Sequence, residues 1–274
     1  MIYSVIILYN PDLEVNQRID FISNECDKII VVINSDFYMV TKNFNFKNNV
    51  HLIYLESNIG LAKALNIGIK ECLNDVRCDF ICMFDQDTIP PKNSIKLIIE
   101  KFSISDEKIG AIGHSLNLGN SIEKFIEVQD ILTSGTIVPR NVFEDIGLMD
   151  ENLFIDYIDY EWCLRARDHR YKIYTASEFL LIHKLGDKSI NFGLFKKPFH
   201  LNNIRHYYII RNALILINRS YTPFLWKIKH FFKTAYRIPI YILYSTDKVQ
   251  KALLIFRAIK DFNVNKAIYK KPKY

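Results

Sequence analysis

The chain has 274 residues, 49% hydrophobic and 24% charged, with a net charge of +6. That balance excludes a disordered polymer and is enough for one sizeable core, or one core with an appendage. The absence of any run of about 18 uncharged apolar residues argues against a spanning helix.

Met1–Tyr9 lacks a basic segment and a small-residue cleavage site, so it reads as a first core strand rather than a signal peptide. Within it Ser4–Leu8 is an apolar run, and Leu13–Cys26 carries helical spacing through Leu13, Val15, Ile19 and Ile22. Lys28–Ile33 is a β-branched run, followed by a polar loop through Asn49. His51–Leu55 reads as a third strand, and Gly60–Leu73 as a helix with Leu61, Leu65, Ile69 and Leu73 on one face. Phe80–Phe84 is a fourth strand, and Pro90-Pro91 opens a helix over Lys92–Phe102. Strand and helix in alternation predict an α/β fold with a mainly parallel central sheet flanked by helices.

Farther on, Gly110–Ser115 and Thr136–Pro139 are short strand candidates around a polar loop at Asn117–Ser121. Tyr160–Asp168 reads as a helix, Tyr171–Thr175 as a strand, Gly186–Pro198 as a mobile loop and His200–Arg219 as a long helix. Residues 219–274 hold 13 Lys+Arg against 2 Asp+Glu, so the basic charge belongs to the C-terminal end. There Phe224, Leu225, Trp226, Ile228, Phe231 and Phe232 interleave with Lys227, Lys229, Lys233 and Arg237. The expected organisation is a main domain over 1–218 and a basic amphipathic helical extension over 219–274. Five cysteines with no Cys-x-x-Cys spacing read as reduced core thiols, which fits a cytosolic protein.

The chemistry concentrates at Asp85-Gln86-Asp87, where the fourth strand runs out. Ligands of open α/β sheets bind at carboxyl ends of strands. Two carboxylates there can hold a divalent ion against phosphate oxygens. Taken alone, such a triplet is more often a solvated turn. The rest of the chain decides.

Seven further segments accompany it in order, and together they resemble a family 2 glycosyltransferase of the GT-A fold (a Rossmann-like nucleotide-diphospho-sugar transferase). Within that family the chain is most similar to the rhamnosyltransferase-like group that builds bacterial surface polysaccharides of the O-antigen and capsule type. The resemblance covers about residues 2–217. Leu8-Tyr9-Asn10-Pro11-Asp12 matches the turn that lines base and ribose, which implies nucleotide contacts for Tyr9, Asn10 and Pro11. After the second strand the family commonly has Asp then Asn; here Ile33 precedes Asn34, so either Asn34 or Asp36 substitutes, or base recognition is looser. Asn58-Ile59-Gly60-Leu61-Ala62-Lys63-Ala64-Leu65-Asn66-Ile67-Gly68 matches the family pattern at every fixed position. It implies donor contacts for Asn58 and Gly60, with the helix start and Lys63 favouring the diphosphate.

By the same resemblance Asp87 ligates Mg²⁺ or Mn²⁺, Asp85 contacts the ribose or the ion, and His183 completes the metal site. Ser134 and Gly135 of Thr133-Ser134-Gly135-Thr136 lie under the donor sugar. Ile158-Asp159-Tyr160-Glu161 stands where the general family motif carries the catalytic base, which maps onto Asp159. An inverting transfer needs one carboxylate to take the acceptor proton. A helix start is expected to depress the pKa of Asp159. Asp156 and Glu161 are expected to orient the acceptor, and Trp162 either stacks on a sugar or fills the core. Arg205-His206-Tyr207-Tyr208-Ile209-Ile210-Arg211-Asn212 matches Arg-x-Tyr-Tyr-x-x-Arg-Asn in full, with Arg205 and Arg211 expected to reach diphosphate oxygens.

The implied activity is inverting, metal-dependent transfer of a sugar onto a polyprenyl-diphosphate-linked oligosaccharide, with dTDP-L-rhamnose as donor. Loop 186–198 would close over the site. A hexosyl or galactofuranosyl donor, or a non-catalytic sugar-nucleotide-binding or polysaccharide-assembly protein, are the alternatives. The basic-aromatic extension suits an anionic membrane surface, placing the protein in the cytoplasm, peripheral on the inner face of the cell membrane. It also suits packing on the domain or on a second subunit of a homo-oligomer. Nucleic acid is disfavoured, because no nucleic-acid motif accompanies the basic tail and seven acids crowd 144–161.

Overall fold

The computed structural model describes residues 1–35, 46–115, 123–181, 188–192, 195–199 and 203–274. The first half alternates β1 (Ile2–Leu8), α1 (Val15–Ser23), β2 (Lys28–Ile33), β3 (Val50–Tyr54), α2 (Leu61–Leu73), β4 (Phe80–Asp85) and α3 (Ser94–Ile104). Then come β5 (Ile109–Ser115), β6 (Phe125–Val128), β7 (Thr136–Pro139), α4 (Arg140–Ile146), a 3₁₀ turn at Glu151–Leu153, α5 (Ile158–Asp168) and β8 (Lys172–Leu180). The hairpin strands β9 (Lys188–Phe192) and β10 (Phe195–Phe199) precede the helices α6 (Asn203–Asn218), α7 (Phe224–Leu243) and α8 (Lys248–Val264).

Eight strands form one sheet in the order β3-β2-β1-β4-β7-β5-β8-β6. The pairs β1–β2, β2–β3, β1–β4 and β5–β8 are parallel, while β7 runs antiparallel between β4 and β5, and β6 antiparallel to β8. Side chains alternate across the pleat. In β1, Tyr3, Val5 and Ile7 enter one core with α2 and α4 to α8, whereas Ile6 and Leu8 enter the other with α1 and α3. The structure is thus the α/β sheet with helices on both faces that the alternation predicts.

Three local expectations change. The third long helix begins at Ser94 rather than Lys92, after Asn93 takes a left-handed φ of 62°. The strand expected at Tyr171–Thr175 continues to Leu180, because β5 pairs with it past an irregularity, Ser115 lying opposite Leu180. The mobile loop expected over Gly186–Pro198 contains an antiparallel hairpin in its described parts, with Phe195 opposite Phe192. Aromatic and β-branched residues there favour paired strands.

The C-terminal helices share the main core. Trp226, Tyr241, Ile255, Ala258 and Phe262 join the same buried cluster as α2 and α5. Arg219, fully buried, pairs with the equally buried Asp150. Asp150 Oδ1 also accepts the Lys273 N–H at 2.9 Å, and Glu151 N–H donates to the Lys273 carbonyl at 2.7 Å. Among the described residues no helix is long and apolar enough to cross a membrane.

Candidate active site

β4 delivers Asp85 and Asp87 to the C-terminal edge of the sheet, both half-buried. The loop they share is fixed from two sides. Asp85 N–H donates to Ser134 Oγ at 2.9 Å, and that hydroxyl lies 2.7 Å from Thr88 Oγ1. Gln86 exchanges two bonds with the Tyr9 backbone, at 2.8 and 3.1 Å, tying the end of β1 to the acidic loop. Ser134 is therefore a brace of the acidic loop. Gly135 has φ +80°, and a Cβ there would meet Leu181 at 2.9 Å and His114 Nδ1 at 3.2 Å. Buried His114 donates from Nδ1 to the Gly135 carbonyl at 2.6 Å, and burial pushes its pKa down to about 4. A neutral imidazole thus holds the Ser134-Gly135 turn.

Two half-exposed carboxylates at a strand end suit a hard divalent cation that takes its remaining ligands from phosphate and water. Among the described residues no group of three His, Cys, Asp or Glu forms a metal cluster. His183, expected as a third ligand, and Asp36 lie outside the described residues.

On the expected nucleotide side, Tyr9 is half exposed, and Asn10 beside Pro11 takes φ 46°. Asn34 is buried and committed: its Oδ1 accepts from Ile59 N–H at 2.9 Å and its Nδ2 donates to Asn58 Oδ1 at 3.2 Å. Asn58 Oδ1 in turn accepts Gly60 N–H at 3.0 Å. The expected base contact of Asn34 is corrected: its amide shapes the turn before α2. Lys63 is exposed at the start of that helix. Asn66, fully buried, holds the Met149 backbone with reciprocal 2.9 Å bonds and reaches Glu151 Oε1 at 3.1 Å.

Gly60 sits against the loop that leads to the expected base. Its φ is +93°, and a Cβ would lie 2.5 Å from the Phe154 ring. That ring is stacked on Tyr208 at 4.7 Å and cannot recede cheaply. Gly60→Ala is therefore expected to destabilise the protein by about 1–3 kcal/mol. Urea denaturation checks this, and an unchanged midpoint would contradict the packing.

Phe154, Asp156 and Tyr157 all have positive φ, at 64°, 63° and 66°. Such backbone costs of order 1–3 kcal/mol per residue and persists only where neighbours over-determine it. Here α6 supplies the constraint. Asn212 Nδ2 lies 2.8, 2.8 and 2.9 Å from the carbonyls of Leu153, Ile155 and Asp156. Arg211 donates to the carbonyls of Asn152 and Leu153 at 2.6 and 3.1 Å. Arg205 grips Asp156 with two bonds, at 2.6 and 3.2 Å.

Several assignments change as a result. The buried Arg211 guanidinium serves backbone carbonyls rather than a diphosphate, and Arg205 is engaged with Asp156. Asp156 anchors the loop instead of standing open to an acceptor. Glu161 is fully buried, paired with Arg165 at 2.9 Å and accepting from Tyr221 at 2.5 Å. Trp162 is buried against Phe143 with its Nε1–H on the Gly147 carbonyl at 3.2 Å, so it is core.

Asp159 starts α5, half-buried, with Oδ1 accepting Tyr160 N–H at 2.8 Å. Burial pushes its pKa up to about 7, and the nearby charges of Asp130 and Asp156 add to the rise. The expected depression by the helix start is thus reversed: desolvation outweighs the backbone hydrogen bonds. A carboxylate near neutrality is suited to taking a proton from a hydroxyl. Asp130 lies close enough to act on Asp159 and has its own pKa raised by burial. It carries no motif signal, because its proximity to Asp159 arises from tertiary packing.

The model of the family described as Glycosyl transferase family 2 matches residues 5–133. The dTDP-rhamnosyl transferase RfbF of Shigella flexneri is 31% identical over 270 residues, covering 91% of this chain and 90% of that protein. The poly-beta-1,6-N-acetyl-D-glucosamine synthase of Staphylococcus aureus (strain COL) is 26% identical over 53% of this chain, which spans 40% of that longer protein. Among solved structures, S. aureus TarS 1-349 in complex with UDP-GlcNAc superposes with a TM-score of 0.56 at 14% identity, covering 95% of this chain and 80% of that one. GalNAc-T7 with UDP, GalNAc and Mn²⁺ gives 0.56 at 12% identity, covering 66% and 43%. Identities this low show a shared fold alone.

Proposed function

The chain belongs to glycosyl transferase family 2, in its rhamnosyltransferase-like group, and from that premise we propose that it transfers L-rhamnose from dTDP-L-rhamnose with inversion. The observation that carries the chemistry is the placement of Asp159 at the start of α5, directly after a strained loop clamped by Asn212, Arg211 and Arg205, where burial pushes its pKa up. The choice of sugar is supported by the likeness to RfbF across nine-tenths of both chains. The acceptor in this reading is a polyprenyl-diphosphate-linked oligosaccharide at an anionic membrane surface, on the cytoplasmic face. The basic aromatic C-terminal helices support that location.

Asp87 and Asp85 would hold Mg²⁺ or Mn²⁺, which supplies charge neutralisation for the leaving nucleoside diphosphate. Ser134, Thr88 and Gln86 keep those carboxylates in place. Asp159 takes the proton of the acceptor hydroxyl as that oxygen bonds to the anomeric carbon. The bond from that carbon to the diphosphate oxygen breaks, and the configuration inverts. Asn212, Arg211 and Arg205 fix the loop that aims Asp159, so the base meets the acceptor without a rearrangement of its own.

The experiment is turnover of a panel of nucleotide sugars, with and without Mn²⁺ or Mg²⁺. Metal-dependent turnover of dTDP-rhamnose is the expected result, lowered by about 10²-fold or more in Asp87→Ala. Turnover confined to a different sugar would sink the rhamnose assignment. Undiminished, metal-independent turnover in Asp87→Ala would sink the metal role.

A further inference from the structure

α7 has three distinct faces. Trp226, His230 and Thr234 are buried at every fourth position. Trp226 stacks on His230 at 3.6 Å, and both rings lie edge-on to Tyr157 and Tyr160, the residues that flank the catalytic segment. The opposite face is apolar and open to solvent: Phe224 is 73% exposed, Leu225 80% and Phe232 66%, with Ile228 between them. Contiguous exposed apolar side chains rimmed by charge mark interaction surfaces.

Lys229, Lys233 and Arg237 fall at the same four-residue spacing, one position before His230, Thr234 and Ile238. By helical geometry they form a single row along one flank, between the buried face and the apolar face. Arg237 Nη1 donates to Tyr157 OH at 3.3 Å, two residues from Asp159. Burial raises the pKa of Asp130, and Lys229 and Lys233, together with Arg167 of α5, offset part of that rise; the Asp130 charge in turn reaches Asp159. A row of cations therefore begins at the Tyr157 hydroxyl, two residues in sequence from the proposed base, and runs beside the apolar face. Asp130 offsets part of this charge, and Asp156 is already paired with Arg205.

We infer that this row is the subsite for the diphosphate of a prenyl-linked acceptor, with the prenyl chain lying along Leu225, Ile228 and Phe232. The chemistry matches: a diphosphate is a dense, multivalent anion, and rows of Lys and Arg bind it through charge-assisted hydrogen bonds. The adjoining apolar face gives the hydrocarbon a surface that is continuous with a bilayer. The inference rests on the lipid-linked acceptor of the proposed function and gives that acceptor its own binding element, separate from the nucleotide side.

The test measures binding of full-length protein to neutral detergent micelles carrying geranylgeranyl diphosphate. Parallel arms carry geranylgeraniol, carry phosphatidylglycerol at matched charge, or add inorganic pyrophosphate alone. Wild type is expected to prefer the prenyl diphosphate micelles. Lys229→Gln/Lys233→Gln should weaken that binding by about tenfold or more. The exposed pair Lys248→Gln/Lys266→Gln removes equal charge elsewhere and should weaken it about twofold at most, as expected of charges far from the bound phosphate. Dye-monitored melting of each variant verifies that it is folded. Equal binding by wild type and Lys229→Gln/Lys233→Gln overturns the subsite. So does equal loss in the two double variants, or equal wild-type binding to phosphatidylglycerol, each of which reduces the row to a general anionic anchor. Binding to pyrophosphate alone as tight as to the micelles overturns the prenyl part. Turnover of dTDP-rhamnose is assayed separately, so failure of the donor assignment and failure of the acceptor subsite give different results.

Discussion

Asp159→Asn is expected to lower acceptor transfer by about 10²–10⁴-fold, the range removed when a general base is lost. Donor binding should be unaffected, because the acidic loop is braced by Ser134, Thr88 and Gln86 and not by α5. The wild-type pH profile carries the same signature. A base with a pKa of about 7 is protonated and idle below neutrality, so kcat/KM should rise with pH through that region and level off above it. Asp130, Asp156 and the phenols of Tyr157 and Tyr160 surround the group, with Arg237 bonded to Tyr157. Asp130→Asn removes a like charge and is expected to move the midpoint to lower pH while leaving the plateau in place. A profile that stays flat from acid to alkaline pH would remove Asp159 from the role of base.

The largest effect on stability is expected from Arg219→Met. Arg219 and Asp150 are both without solvent exposure and are bonded to each other. Removing one partner leaves an uncompensated buried charge, which costs about 3–5 kcal/mol. Burial and the neighbouring Glu161 already raise the pKa of Asp150, so its ionised form depends on the guanidinium. Asp150→Asn/Arg219→Met should recover part of the loss, because the amide oxygen can still accept from Asn152 and Lys273. Urea unfolding of wild type, single and double variants measures this. A single variant as stable as wild type would show that the pair is not holding these two segments together.

The architecture was legible because its strands are short β-branched runs and its helices carry a 3.6-residue period. β1 to β4 and α2 fall where the apolar spacing places them. β6 was not legible: Phe125–Val128 is four residues long, and its pairing with β8 is a tertiary event. The acidic loop could be read from Asp85 and Asp87 at the end of an apolar run. What could not be read was how far motif residues serve the frame of the site. Asn66 and Asn212 stand in matched motifs with no role legible in sequence, and both are buried and bonded to backbone carbonyls. Arg211 carries a charge that suggests an anion, and only the carbonyls of Asn152 and Leu153 show what it binds. The pKa of Asp159 was misjudged for a related reason. A helix start is visible in sequence, whereas the burial that outweighs it depends on chain brought in from elsewhere.

The clamp on residues 152–156 also bears on how this protein can be redesigned. A loop whose carbonyls are bound to Asn212 and Arg211, and whose Asp156 is gripped by Arg205, has little freedom to take up a new shape. Substitutions within it trade directly against the positive φ values it must keep. Libraries aimed at a different acceptor would then be more productive on the solvent-facing flank of α7, where exposed side chains can change without disturbing the backbone around Asp159. Selection on Phe154 to Tyr157 would mostly return misfolded protein.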